Sequence, residues 1–189
     1  MTGIWLRMRR SALDLSADTK GIAAVEFAMV VPLMLVLFFG TVEFSSGVAV
    51  DRKVTLMART LSDLTSQNIS VTDAQLTNIF NASTGIMTPY STTPLNSTIT
   101  ELYVDPTTKI ARVQWSKGAS PRGTGTSVAI PTALQVGGTY LIYSEVNYKY
   151  VPAVGYVMAK AGITLSDFTY TRPRQSACVM YNTTVCTTT

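Results

Sequence analysis

The chain has 189 residues, 47% of them hydrophobic and only 14% charged, with a formal net charge of +4. That length suits one ordinary domain plus a short extra segment, and the apolar content excludes disorder as a description of the whole. The basic residues are scattered, so nucleic-acid binding is not expected. Histidine is absent, which removes Ser-His-Asp and Cys-His catalysis, histidine zinc sites and histidine pH switches. Two cysteines are too few for a four-cysteine metal site or an iron–sulfur cluster held by one chain. No cofactor and no metal is expected.

The chain opens on a 20-residue tail carrying Arg7, Arg9, Arg10 and Lys20. Gly21–Val42 follows, 22 residues with one charge, Glu26. At 1.5 Å per residue, about 20 apolar residues span a bilayer as a helix. A buried core helix of this length would show a polar face, and residues 27–39 have none. The segment therefore reads as one membrane crossing, about 22–42. Pro32 has no N–H for the Ala28 carbonyl, which predicts a helix kink there. Beyond the span lie Arg52, Lys53 and Arg59, so the basic balance slightly favours a cytoplasmic tail. Residues 43–189 then face the exported side, and both cysteines, Cys178 and Cys186, fall in that part, as suits an oxidising compartment.

Helical spacing continues past the membrane. Val50, Val54, Met57, Leu61 and Leu64 recur at 4-3-4-3 intervals, which predicts one long helix over 22–66 with a single stripe for a core. A second helix is expected over 73–82, with Thr72 as N-cap, Gln75 completing a capping box, and Ala74, Leu76, Ile79 and Phe80 as its apolar face. Residues 83–98 read as loop. Strands are expected over 98–104 and 109–116, joined by an Asp105-Pro106 turn, with Ala111, Val113 and Trp115 on one face. The longest strand is expected over 139–151, with Tyr140, Ile142, Val146, Tyr148 and Tyr150 sharing a face. A short helix near 156–161 and strands over 165–172 and 177–182 complete the reading. The fold class is α+β: a long N-terminal helix, then a small, mostly antiparallel sheet. Cys178 and Cys186 flank a possible Asn182-Thr183 turn, and a disulfide between them is expected. Two free thiols in a frayed tail are the other reading.

Glu26 requires an explanation, because a carboxylate among hydrocarbon tails costs a few kcal/mol. Taken alone, it reaches the headgroups or finds a partner. Its neighbourhood is distinctive: Lys20-Gly21-Ile22-Ala23-Ala24-Val25-Glu26-Phe27-Ala28, then Pro32, then Gly40-Thr41-Val42-Glu43-Phe44. This stretch resembles the TadE-like minor pseudopilins of Tad (tight adherence) pilus systems. The Val113–Ser116 stretch, the Tyr-rich strand and Arg172-Pro173-Arg174 resemble their exported part. The resemblance implies a pilin-like domain organisation: residues 1–21 a cytoplasmic prepilin-type leader, 22–66 the long helix, 67–189 an exported domain. It implies cleavage between Gly21 and Ile22 by a prepilin peptidase, leaving a free amine on Ile22. Glu26 would then pair with that amine on a neighbouring subunit. The implied role is structural rather than enzymatic. The implied location is a bacterial inner membrane, single-pass, with a periplasmic C-terminal domain and possible entry into the pilus. Implied partners are the peptidase, other Tad pilins and pseudopilins, the inner-membrane assembly platform and membrane lipid.

Rival readings keep the same residues. One is a plain inner-membrane anchor with a periplasmic binding domain. Another is a secreted protein cut after Ala49, where Gly47 and Ala49 offer a small-x-small site. A third is an exported hydrolase, which the missing histidine disfavours. Several signals carry little. The glycines of 118–124 lack a P-loop lysine. Asn68, Asn81, Asn96 and Asn182 match a glycosylation pattern that a Ser/Thr-rich chain meets by chance. Ala24 and Ala28 form a common small-residue pair, and Arg172 and Arg174 read as a solvated strand edge.

Overall fold

The computed structural model describes residues 20–152 and 162–186. Residues 1–19 of the basic tail and the expected helix near 156–161 lie outside the described residues. The chain divides into two compact units, Met1–Phe44 and Ser45–Thr189.

Helix α1, Lys20–Ser66, begins in the first unit and ends in the second. It runs uninterrupted through Pro32. In the first unit no described side chain is buried. In the second, Val50, Val54, Met57 and Leu61 are fully buried, as their spacing predicts, while Leu64 is half-buried. The buried stripe is wider than the apolar pattern shows, because Ala58, Ser62, Thr65 and Ser66 are fully buried as well.

Strand β1 (Ser70–Val71) leads to helix α2, Asp73–Thr84. Its capping box forms: the Gln75 amide donates to Thr72 Oγ1 at 3.3 Å, and the Thr72 amide donates to Gln75 Oε1 at 2.9 Å. Leu76 and Ile79 are buried, Phe80 is half-buried, and Ala74 is exposed, contrary to expectation. The expected loop over 83–98 holds a 3₁₀ turn at Gly85–Met87 and the start of the next strand.

Strands β2 (Leu95–Val104), β3 (Ala111–Gly118), β4 (Ser127–Val128), β5 (Tyr140–Tyr150) and β6 (Ile163–Thr171) form one antiparallel sheet in the order β4-β3-β2-β5-β6. The turn between β2 and β3 is built by Asp105, whose Oδ1 accepts from the Thr107 and Thr108 amides at 2.8 and 2.7 Å. At the end of β3, Gly118 has φ +131, and a Cβ there would run into the Ser97 carbonyl. The expected strand over 177–182 shrinks to β7, Met180–Tyr181, which pairs in parallel with β1. The hairpin predicted at Asn182 is a tight turn: Asn182 has φ 52, and the Thr184 amide donates to the Tyr181 carbonyl at 2.9 Å.

The sheet has two covered faces. One packs on α1 and α2 through Ile99, Trp115, Ile142, Val146 and Tyr148. The other buries Leu102, Val104, Val113 and Leu141 beneath Ile130 and the half-buried Val128 and Leu134 of the β3–β5 connection. This second core explains why β5 is buried on both faces in its first half rather than alternating.

One facing is reversed. Ala111 and Val113 lie on the second face, but Trp115 lies on the helix face. Glu101 pairs with Trp115 while Leu102 pairs with Val113, so Gln114 is an extra residue in β3. A bulge of this kind shifts the alternation by one and turns the indole to the other side.

Helix α1 meets β5 through small residues. Ser144 Oγ donates to the Ala58 carbonyl at 2.6 Å, and Ser62 Oγ donates to the Ile142 carbonyl at 3.4 Å. Short side chains let helix and strand backbones approach, and the hydroxyls meet carbonyls instead of remaining unpaired.

Candidate functional site

The sequence-predicted site residues fall in two places. Gly21, Ile22, Glu26 and Pro32 lie on the first-unit part of α1. Gly21 occupies its first turn, where a Cβ would meet nothing within 4 Å. Ile22 and Glu26, four residues apart, share one helix face, and both are exposed. Phe27 and Met29 are 70% and 74% exposed. An apolar surface of that extent on a helix calls for a covering medium. The most apolar 18-residue stretch of this helix has mean hydropathy 2.5, and none of it is buried. Length and composition thus give α1 what a bilayer crossing needs.

The second place is the C-terminal segment of the folded unit. Cys178 and Cys186 lie with Cα atoms 6.3 Å apart, within the range that disulfides span. Cys178 is buried against Tyr103 and Tyr140. The adjoining residue, Val179, is held by both backbone groups. Its amide donates to Glu101 Oε1 at 2.6 Å, and its carbonyl accepts the Trp115 indole N–H at 2.8 Å. Further along, the Met180 and Asn182 amides donate to the Ile69 and Val71 carbonyls at 3.0 and 2.9 Å. Tyr181 donates its hydroxyl to Asp73 Oδ1 at 2.6 Å, and Lys117 lies 4.4 Å from the centre of its ring.

Glu101 was not visible as a special residue in the sequence. It is 2% exposed, and burial pushes its carboxyl up to about 8, against the opposing pull of the Val179 amide and the Trp115 indole. The signal that would have found it is that Glu101 is the one charged residue of the strand Leu95–Val104, followed directly by Leu102, Tyr103 and Val104.

Three more polar contacts escaped sequence reasoning. Lys53 donates to the Ile86 and Thr88 carbonyls at 2.7 and 2.8 Å, tying α1 to the turn after α2. Arg174, expected as a solvated edge residue, pairs with Asp63 at 2.5 Å, and its amide donates to the Ser66 carbonyl at 2.9 Å, closing the end of α1. Arg122 forms a two-pronged pair with Glu145, which also accepts from the Tyr143 hydroxyl at 2.8 Å. Burial works to raise the Glu145 carboxyl, but those donors outweigh it and hold it below the usual range. Burial, then the bond to Glu145, raises the Tyr143 hydroxyl.

These features define a class: a folded α+β unit whose first helix is continuous with a membrane-spanning-type apolar segment. The family model described as TadE-like protein matches residues 21–61, the segment whose motifs carry the resemblance. The match makes this part of the chain similar to that family. No curated protein and no solved structure matches the chain.

Proposed function

We propose that this chain is a structural minor pseudopilin that takes part in assembling or priming a Tad-type adhesion pilus. The observation that carries the reading is the position of the family match: it starts at Gly21 and takes in Ile22, Glu26, Pro32 and the first turns of the folded unit. In this reading a prepilin peptidase cuts after Gly21, and the subunit stays in the inner membrane through residues 22–42. The leader is cytoplasmic and the domain from Ser45 onward is periplasmic. The working partners are other Tad pilins and pseudopilins and the inner-membrane assembly platform, with lipid around the helix.

The chemistry follows from position. Glycine at the cut leaves the backbone open to the peptidase. Cleavage frees the Ile22 amine, and the Glu26 carboxylate sits one helical turn away. In lipid neither charge has water, so each gains most from the opposite charge on a neighbour. Cys178 and Cys186 form a disulfide that closes the C-terminal turn in the oxidising periplasm.

The mature N-terminus tests this reading. Sequencing of protein isolated from its own membrane should begin at Ile22. Met1 would indicate a plain anchor and Val50 a secreted protein, and either overturns the pseudopilin reading. Gly21→Trp should leave the uncut, heavier chain. Glu26→Leu should leave normal amounts of processed protein but remove pili, since a buried amine then lacks its partner. Wild-type piliation in that strain would refute the pairing.

A further inference from the structure

Strand β6 is the last strand of the five-stranded sheet, and among the described residues nothing pairs with its outer edge. The opposite edge ends in β4, only two residues long. Free edges are usually blunted by shortness, charge, proline or a bulge. The nine residues of β6, Ile-Thr-Leu-Ser-Asp-Phe-Thr-Tyr-Thr, carry one charge and no proline. The direction of its backbone groups follows from the ladder register. The Lys149 amide donates to the Pro94 carbonyl at 3.2 Å, so the odd-numbered residues of β5 serve β2. The backbone of Phe168, opposite Glu145, thus faces outward, and its amide donates to Asp167 Oδ1 at 2.8 Å. The N–H and C=O groups of residues 164, 166, 168 and 170 therefore point away from the sheet, and those of the odd-numbered residues serve β5.

The two sides of this edge differ. On one side Phe168 is 55% exposed, with ring centres 6.0 Å from Tyr143 and 5.8 Å from Tyr170. On the other side, Thr169 and Thr171 border a groove of about 380 Å³ with Leu56, Arg59 and Arg174. Arg174 is neutralised by Asp63, whereas Arg59 has no ion-pair partner among the described residues.

We propose that β6 is a self-pairing edge: two copies of this chain join their β6 strands antiparallel about a two-fold axis at Phe168. The charges select the register. An axis at Asp167 gives the longest overlap but sets the two carboxylates opposite each other, which is destabilising. Moving the axis one residue, to Phe168, keeps the same groups pointing outward and the same faces aligned. Each Phe168 then meets its copy, extending the Tyr143–Tyr170 aromatic surface across both sheets. Each Asp167 lies opposite Thr169 of the second copy, on the groove side, within the field of Arg59. A two-fold arrangement makes both contacts twice. The Phe168 amide exchanges its bond to Asp167 for a ladder bond to the second copy, and the carboxylate is released toward Arg59. This inference does not rest on the pilus reading.

The test uses the full chain in detergent micelles. Phe168→Cys under mild oxidation should give a covalent dimer in high yield. Ser166→Cys, which faces Tyr170 of the second copy and not itself, should give little more than the wild-type background set by Cys178 and Cys186. Equal yields at the two positions, or no 168–168 cross-link, overturns the proposal, including the case of association through the membrane helix alone. In sedimentation equilibrium, Asp167→Arg should weaken association roughly tenfold, from two repulsive contacts of ordinary surface strength. Adding Arg59→Asp should restore it. Unchanged association in the single variant, or no recovery in the double variant, also overturns the proposal.

Discussion

Glu101 and Val179, 78 residues apart, are joined by a 2.6 Å hydrogen bond from the valine amide to the buried carboxyl. Trp115, directly opposite Glu101 in the β2–β3 ladder, takes the valine carbonyl. Two side chains thus do for Val179 what a neighbouring strand would do, and they fasten a segment with only two residues of regular pairing of its own. A buried backbone group left unpaired costs about 1–3 kcal/mol, so both side chains are needed for the C-terminal segment to lie down.

The carboxyl makes that fastening sensitive to pH. The folded chain holds the Glu101 proton up to about 8, while the unfolded chain releases it near its ordinary value of 4.5. Between those values the folded state binds more protons, so stability falls as pH rises and levels off above about 8. Thermal unfolding of the full chain in detergent, followed by near-ultraviolet circular dichroism, should show a melting temperature that declines across this window. Glu101→Gln keeps an oxygen for the Val179 amide and cannot ionise. It should flatten the decline, and an unchanged slope would assign the effect to other groups.

Ser144 and Ala58 set the distance between β5 and α1. Ser144→Ala removes one hydroxyl bond and should cost about 1 kcal/mol. Ser144→Leu forces a larger side chain into a packed contact and should cost about 1–3 kcal/mol or more. Urea unfolding at constant pH measures both. Equal costs would mean that the bond, not the spacing, is what the serine supplies.

Leu61 and Leu56 lie on the same helix and differ only in what they face. Leu61 is fully buried and Leu56 is 52% exposed. Leu61→Ala should cost about 2–5 kcal/mol, and Leu56→Ala no more than about 0.5 kcal/mol. Comparison of denaturation midpoints decides. A large loss at Leu56 would show that its side of α1 is covered by a partner under the conditions of measurement.

The Cys178–Cys186 pair should resist alkylation in protein purified without reductant, and mass spectrometry should find neither thiol modified. Replacing both with serine should cost about 2–3 kcal/mol, the chain-entropy value for so short a loop. Two labelled thiols would show that proximity has not led to a bond.

Local signals made much of the chain legible. The apolar run from Gly21 to Val42 is readable because a bilayer demands length and uniform hydropathy, both properties of contiguous residues. The Thr72–Gln75 box and the Asp105 turn are readable because their bonds span two or three residues. The helix stripe from Val50 to Leu61 and the length of β5 follow from periodicity alone.

Other features depend on partners far away in the chain. Trp115 changed faces because one extra residue, Gln114, broke the alternation, and nothing local marks a bulge. Arg174 looked solvated until the fold set Asp63 beside it. Ser62 and Ser144 are polar in sequence but buried, because their hydroxyls bond carbonyls across the close approach of helix and strand. Glu101 is an ordinary strand carboxylate until Val179 arrives from 78 residues away and closes it from water. By itself the sequence determined the long apolar helix, the cap of α2, the turns and the fold class, because these answer to bonds and periods within a few residues. Only the tertiary structure decided which polar groups are buried, which face Trp115 takes and which edge of the sheet stays open, because each depends on the register and approach of segments distant in the chain.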